Sequence, residues 1–90
     1  MKIRAHVFIS GSVQGVFFRS ETKHEANMHH IDGWIRNLPD ERVEAVFEGE
    51  EQYVTKLIEF CRTGPTNARV KRVNVTWEPY SGKYNSLEIR

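Results

Sequence analysis

The sequence predicts an α+β fold, a ferredoxin-like βαββαβ sandwich. Its sheet is antiparallel or mixed, with two helices on one face and a short fifth strand at the C-terminal end. Three observations carry this. Ile3, Ala5, Val7 and Ile9 alternate with Arg4, His6 and Phe8, the period-2 pattern of a half-buried strand. Val54, Leu57, Ile58 and Cys61 fall at i, i+3, i+4 and i+7, one face of a helix. Between them, Val43, Ala45 and Phe47 alternate with Glu44, Val46 and Glu48, after a Leu38-Pro39-Asp40-Glu41 turn.

The elements follow in order. The first strand, Ile3 to Ile9, leads into a loop from Ser10 to Phe18 bracketed by Gly11 and Gly15. Arg19 to about His29 reads as a helix, with Phe18, Thr22 and Ala26 on one weak stripe. Gly33–Leu38 and Val43–Glu48 pair as a hairpin. In the second helix Glu50 and Glu51 sit where the helix dipole favours negative charge and Arg62 where it favours positive, and Gly64-Pro65 stops it. Val73, Val75 and Trp77 alternate with Arg72, Asn74 and Thr76 as a fourth strand, and Leu87 and Ile89 suggest the short last one. No repeat interrupts this order, and 90 residues suit a single domain, residues 1–90.

Composition narrows the function classes. Thirteen Lys and Arg against twelve Asp and Glu leave a net charge of +1, which argues against a broad polybasic, nucleic-acid-binding face. A small anion needs only one or two placed positive groups. The single cysteine, Cys61, allows no internal disulfide, and its place on the apolar helix stripe suits a buried thiol better than a nucleophile. Apolar runs of three residues, such as Val7-Phe8-Ile9, fall far short of a membrane span. The expectation is a soluble, cytoplasmic monomer with no membrane or nucleic-acid partner.

The chemistry concentrates in Gly11-Ser12-Val13-Gln14-Gly15-Val16-Phe17-Phe18-Arg19. A glycine-bracketed loop between a strand end and a helix start can turn successive backbone N–H groups toward one point, beside the positive end of the helix. Arg19 adds a planar fork of donors that matches two phosphate oxygens. On spacing alone the pattern better suits an ordinary glycine turn followed by a surface arginine. Chain geometry brings in a second residue. A helix from Arg19 to His30 carries the chain roughly 17 Å away at about 1.5 Å per residue. Ile31 to Asn37, extended, brings it roughly 20 Å back at about 3.3 Å per residue. Because a βαβ crossover returns parallel to its first strand, Asn37 arrives at the height of Arg19. Its side chain has one acceptor and two donors, enough to aim a water molecule, although an asparagine here also suits opening the Leu38-Pro39-Asp40 turn.

These residues resemble a known family. Gly11-Ser12-Val13-Gln14-Gly15-Val16-Phe17-Phe18-Arg19 is similar to the first signature of the acylphosphatases, G-x-V-Q-G-V-x-[FY]-R. Gly33-Trp34-Ile35-Arg36-Asn37 resembles the second, which ends in asparagine. The likeness continues through Leu38-Pro39-Asp40, Gly64-Pro65, Ala68-Arg69-Val70 and Val73-x-Val75-x-Trp77-Glu78. The resemblance implies hydrolysis of the carboxyl–phosphate bond of small-molecule acyl phosphates, with no metal and no cofactor. It implies that Arg19 binds the phosphoryl group together with backbone N–H groups of Val13, Gln14, Gly15, Val16, Phe17 and Phe18, that inorganic phosphate or a similar anion fits the same loop, and that Asn37 orients the attacking water. An RNA-recognition domain has the same strand–helix order, but Val43–Glu48 offers only Phe47 for stacking on bases.

The chain departs from the family pattern in two places. His29-His30 stands where the family commonly has Leu-Gly, so His30 is expected to carry the strain of a left-handed helix cap that glycine would not. Glu41 stands where the turn usually continues with glycine, so a looser hairpin with the chemistry untouched is the expectation. His24 and His29, five residues apart, share no helix face, and a locally accommodated histidine pair is the expectation over a metal site. Trp34 and Trp77 are expected in or near the core, and the Glu48-Gly49-Glu50-Glu51 run at a solvated strand–helix junction.

Overall fold

In a computed structural model describing Met1–Arg90, the chain forms β1 (Lys2–Ser12), α1 (Phe18–Met28), β2 (Asp32–Asn37), β3 (Val43–Glu50), α2 (Glu51–Thr63), β4 (Arg69–Glu78) and β5 (Leu87–Ile89). The strands make one sheet in the order β4-β1-β3-β2-β5. β1 is antiparallel to both neighbours, β2 is antiparallel to β3, and only β2 and β5 run parallel. This is the ferredoxin-like α+β sandwich, with both helices on one face. No helix is long and apolar enough to cross a membrane.

The alternation read from the sequence decides which face is which. Ala5, Val7 and Ile9 pair with Phe47, Ala45 and Val43, and all six are fully buried beneath the helices. Phe18, Thr22 and Ala26 of α1 and Val54, Leu57, Ile58 and Cys61 of α2 close that core from above. Phe47 therefore faces the helices, and no base can stack on it. Cys61 is buried among apolar neighbours, which pushes its thiol up to about 12 and keeps it protonated at neutral pH.

The opposite face departs from expectation. β3 is the central strand, and Glu44 and Glu48 on its far side are buried although alternation alone would put them in water. Glu44 lies 2.7 Å from His6 Nε2 and accepts from Arg36 Nε at 2.7 Å. Glu48 is covered by the connection between β4 and β5 and belongs to no solvated junction; of that run only Glu50 and Glu51 are exposed. Neither tryptophan joins the core under the helices. Trp34 lies on the far face, its indole N–H donating to the Tyr84 hydroxyl at 3.3 Å and its ring flanked by the guanidinium groups of Arg36 and Arg90. Trp77 pairs with Ala5, but β4 is an edge strand that leaves the ring half exposed.

β1 is also longer than its apolar alternation. It runs on to Ser12 through a bulge after Ser10, where a side chain on Gly11 would collide with the backbone of Arg69 and Lys71 on β4. Gly11 thus serves the approach of two strands, and the loop proper is Val13 to Phe17. At the other end of α1, His29 stacks on Tyr53 with ring centroids 5.1 Å apart, and His30 takes the left-handed conformation at φ 55°.

Candidate active site

The loop after β1 is pinned at both ends by apolar anchors. Val13 is 1% and Phe18 2% exposed, so the four residues between them must bridge two points fixed in the core. Gly15 makes the reversal at φ 73°, with nothing within 4 Å of where a side chain would begin; the backbone conformation is what calls for glycine. Phe17 adopts φ 62° without that freedom, a conformation costing roughly 1–2 kcal/mol for a residue with a side chain. It ends the loop and stands as the residue before α1, offering the helix no side-chain cap.

The donors of this loop are left without partners in the chain. Glu21 N–H makes the first helical bond, to Phe17 O at 3.0 Å. The backbone N–H groups from Val13 to Ser20 find no backbone acceptor, nor does any side chain of the protein accept from them. Arg19 is half-buried and engages in no ion pair. A row of N–H groups at the positive end of a helix, beside an unpaired guanidinium, has the donors and the charge that an anion cradle needs.

Asn37 reaches this cradle across an intervening strand. β1 and β2 are each antiparallel to β3, which lies between them, so both end on the same edge of the sheet. Gln14 closes the lateral gap: its side-chain amide donates at 2.9 Å to both the Leu38 and Arg42 carbonyls, at the two sides of the β2–β3 turn. The Asn37 side-chain oxygen is buried and has no hydrogen-bond partner. A cavity of about 280 Å³ is lined by Val13, Gly15, Phe17, Phe18, Arg19, Ser20, Asn37 and Ile89. It contains one cation and no carboxylate, imidazole or thiol, so it can hold an anion and place a water but has no side chain suited to act as a general base.

The sequence-predicted residues divide cleanly. Arg19, Asn37, Val13, Gly15, Phe17 and Phe18 share the cavity. The side chains of Gln14 and Val16 do not line it, since Gln14 braces the turn and Val16 packs against the core, while their backbone N–H groups are unpaired like the rest of the loop. Ser20 and Ile89 were not foreseen. Ser20 follows Arg19 by one residue and is reachable by helix geometry, but nothing in the sequence says that β5 pairs with β2 and brings Ile89 alongside.

The Acylphosphatase family model matches residues 5–89. The chain belongs to the acylphosphatase family. It is 57% identical over 87 residues to an acylphosphatase of Chloroflexus aurantiacus, covering 97% of this chain and 95% of that one. It is 48% identical over 89 residues to that of Syntrophus aciditrophicus, covering 99% and 93%. The crystal structure of the Bacillus subtilis acylphosphatase superposes with a TM-score of 0.94 at 28% identity, over 98% of each chain. An acylphosphatase is a hydrolase of acyl phosphates, and the anion cradle suits such a substrate.

No group of three or more His, Cys, Asp and Glu side chains stands close enough to hold a metal ion. His24, His29 and His30 therefore gather no ligand set, and His29 is accommodated against Tyr53.

Proposed function

We propose that the chain hydrolyses acyl phosphates by in-line attack of a water aimed by Asn37 on a phosphoryl group held by Arg19 and the N–H groups of Val13 to Phe18. The observation that carries this reading is the buried, unpartnered Asn37 side-chain oxygen in the same cavity as the cradle. That oxygen accepts one O–H of the water and turns a lone pair toward phosphorus. The phosphorus–oxygen bond to the acyl group breaks as the new one forms, and the water's proton passes to a phosphoryl oxygen. The products are a carboxylate and inorganic phosphate.

So spare a site is sufficient for this bond. A carboxylate whose conjugate acid has a pKa near ~4 departs without a general acid. Phosphoryl transfer passes through a loose transition state, in which positioning and charge stabilisation supply most of the rate. Arg19 and the helix end meet the charge on the phosphoryl oxygens, and Asn37 supplies the position. Inorganic phosphate, presenting the same oxygens, should compete with substrate.

The test is benzoyl phosphate hydrolysis by the wild type, Arg19→Ala and Asn37→Ala, with folding checked by circular dichroism. Arg19→Ala is expected to lower kcat/KM by about 10³-fold or more, with weaker phosphate inhibition. Asn37→Ala should lower kcat by roughly 10²-fold or more at little cost in KM. Folded Asn37→Ala retaining more than about a tenth of wild-type kcat would overturn the water-positioning role. A folded wild type inert toward every acyl phosphate tried would make the cradle a binding site only.

A further inference from the structure

We propose that Phe17 and Ile89 form the subsite for the acyl group, and that it selects acyl phosphates with a bulky apolar acyl group, an aromatic ring above all, over acetyl-sized ones. This rests on the reading above for where the phosphoryl group sits. Phe17 and Ile89 come from opposite ends of the chain and line one cavity with Arg19 and Asn37. Both are large apolar side chains left in water, 77% and 42% exposed.

Their exposure places them at the mouth, whereas the buried oxygen of Asn37 marks the floor. In-line displacement requires the leaving group to depart opposite the attacking water. With the water at the floor, the acyl carboxylate points toward the mouth and its substituent meets Phe17 and Ile89. Transferring that substituent from water onto apolar surface favours a ring or branched chain over a methyl group.

The conformation of Phe17 supports the same conclusion. A phenylalanine at φ 62° is a backbone outlier, and its ring gains little burial to offset the strain. Strain kept in a cavity wall is accounted for when the ring contacts what the cavity binds. Its position is also the unspecified residue of the G-x-V-Q-G-V-x-[FY]-R pattern, so this contact belongs to the chain and not to the phosphate cradle.

Ile89 is held in place rather than loosely appended. β5 is fastened to β2 by Gly33 N–H donating to Ser86 O at 3.0 Å and Arg90 N–H donating to Ile35 O at 2.8 Å. The Arg90 guanidinium lies 5.2 Å from the centre of the Trp34 ring. Ile89 pairs in register with Ile35, two residues before Asn37 on β2. A wall so fixed can discriminate by fit.

The experiment compares kcat/KM for benzoyl phosphate with that for acetyl phosphate in the wild type, Ile89→Ala, and the double variant Phe17→Gly, Ile89→Ala. The quantity read is the benzoyl-to-acetyl ratio relative to wild type, which cancels the intrinsic reactivity of each substrate and any loss shared by both. We expect the ratio to fall about fivefold in Ile89→Ala and about 20-fold or more in the double variant. A ratio within twofold of wild type in the double variant overturns the subsite, even if both rates fall together. Wild type inert toward both substrates would instead overturn the hydrolytic reading beneath it.

Discussion

The turn at Ser81-Gly82 and the loop from Val13 to Phe17 are built from the same materials and put to opposite uses. At the turn, the Ser81 N–H and hydroxyl donate to Glu48 Oε2 at 3.0 and 2.7 Å, the Gly82 N–H donates to Oε1 at 3.1 Å, and Arg4 donates to Oε2 at 3.3 Å. Backbone amides and one arginine surround an anion that the chain itself supplies. At the loop, a longer row of unpaired amides and Arg19 stand beside a cavity to which the chain supplies no carboxylate. The difference shows what separates a structural polar cluster from a binding site. Donor geometry alone does not decide it; withholding the internal anion does.

Removing the internal anion is the larger of the ways to break this comparison. Glu48→Ala leaves Arg4 and the turn amides facing each other beneath the sheet, and the expected loss is about 3 kcal/mol. At roughly 4–8 °C per kcal/mol for a domain of this size, the melting temperature should drop by roughly 12–24 °C. The pH dependence follows with a definite sign. Burial acts to raise the Glu48 carboxyl, but the hydrogen bonds from Ser81, Gly82 and Arg4 outweigh it and hold the group below its ordinary range. Burial likewise opposes, and His6 and Arg36 outweigh it, at Glu44. A depressed carboxyl stabilises the fold above its unfolded pKa, and that stabilisation is lost as pH falls through the folded value. Acid destabilisation should therefore set in below about pH 4.5, and Glu48→Gln should flatten it. A Glu48→Ala variant melting at the wild-type temperature would show that the turn does not depend on its anion.

Supplying an internal anion where none exists is the converse experiment. Ser20 lines the cavity in the first turn of α1, its hydroxyl making only a local bond to Phe17 O at 3.1 Å. A Ser20→Glu carboxylate would lie among the unpaired amides and beside Arg19. KM for benzoyl phosphate should rise about tenfold or more, equivalent to about 1.4 kcal/mol of lost binding. The melting temperature should hold or increase, because a carboxylate at a helix N-terminus adds roughly 0.3–1 kcal/mol. Unchanged KM in a folded variant would mean that the cradle lies out of reach of its own helix.

The same contrast explains how much was legible in the sequence. Arg19 and Asn37 could be paired because helix rise and strand rise are constants, so a crossover returns to a known height. Their lateral approach could not, since β3 stands between β1 and β2 and the bridge is the Gln14 side chain, which periodicity does not report. Alternation placed Val43, Ala45 and Phe47 correctly but assigned Glu48 to water, because it assumes that the second face of a strand is wet. The cover over Glu48 is irregular chain with no period to read. Trp77 failed in the opposite sense: its parity is inward, but an edge strand gives it too little cover. Ile89 depended on a parallel pairing between distant segments, which no local pattern encodes.

The smallest effect concerns the far end of α1, where there is no anion to gain or withhold. Ile31 N–H donates back to Ala26 O at 3.0 Å across His30, and His29 N–H donates to the same carbonyl at 3.1 Å. This closes the helix with His30 at φ 55°, where glycine is the usual residue. His30→Gly relieves roughly 1–2 kcal/mol of backbone strain. It gives back roughly 0.4–1 kcal/mol to the freer unfolded chain, so the net gain is about 0.5–1 kcal/mol. The melting temperature should rise by about 4 °C. Kinetic constants should not move, since a helix of 11 residues separates His30 from the cavity by roughly 16 Å. Glu41, at φ 74° in the β2–β3 turn, provides the control. The turn holding Glu41 is the one that Gln14 grips, so Glu41→Gly loosens a support of the site while relieving its strain. His30→Gly should therefore raise stability with kcat intact, whereas Glu41→Gly should raise it less and lower kcat. Equal or lower stability in His30→Gly would show that the cap histidine is held by contacts worth more than its strain.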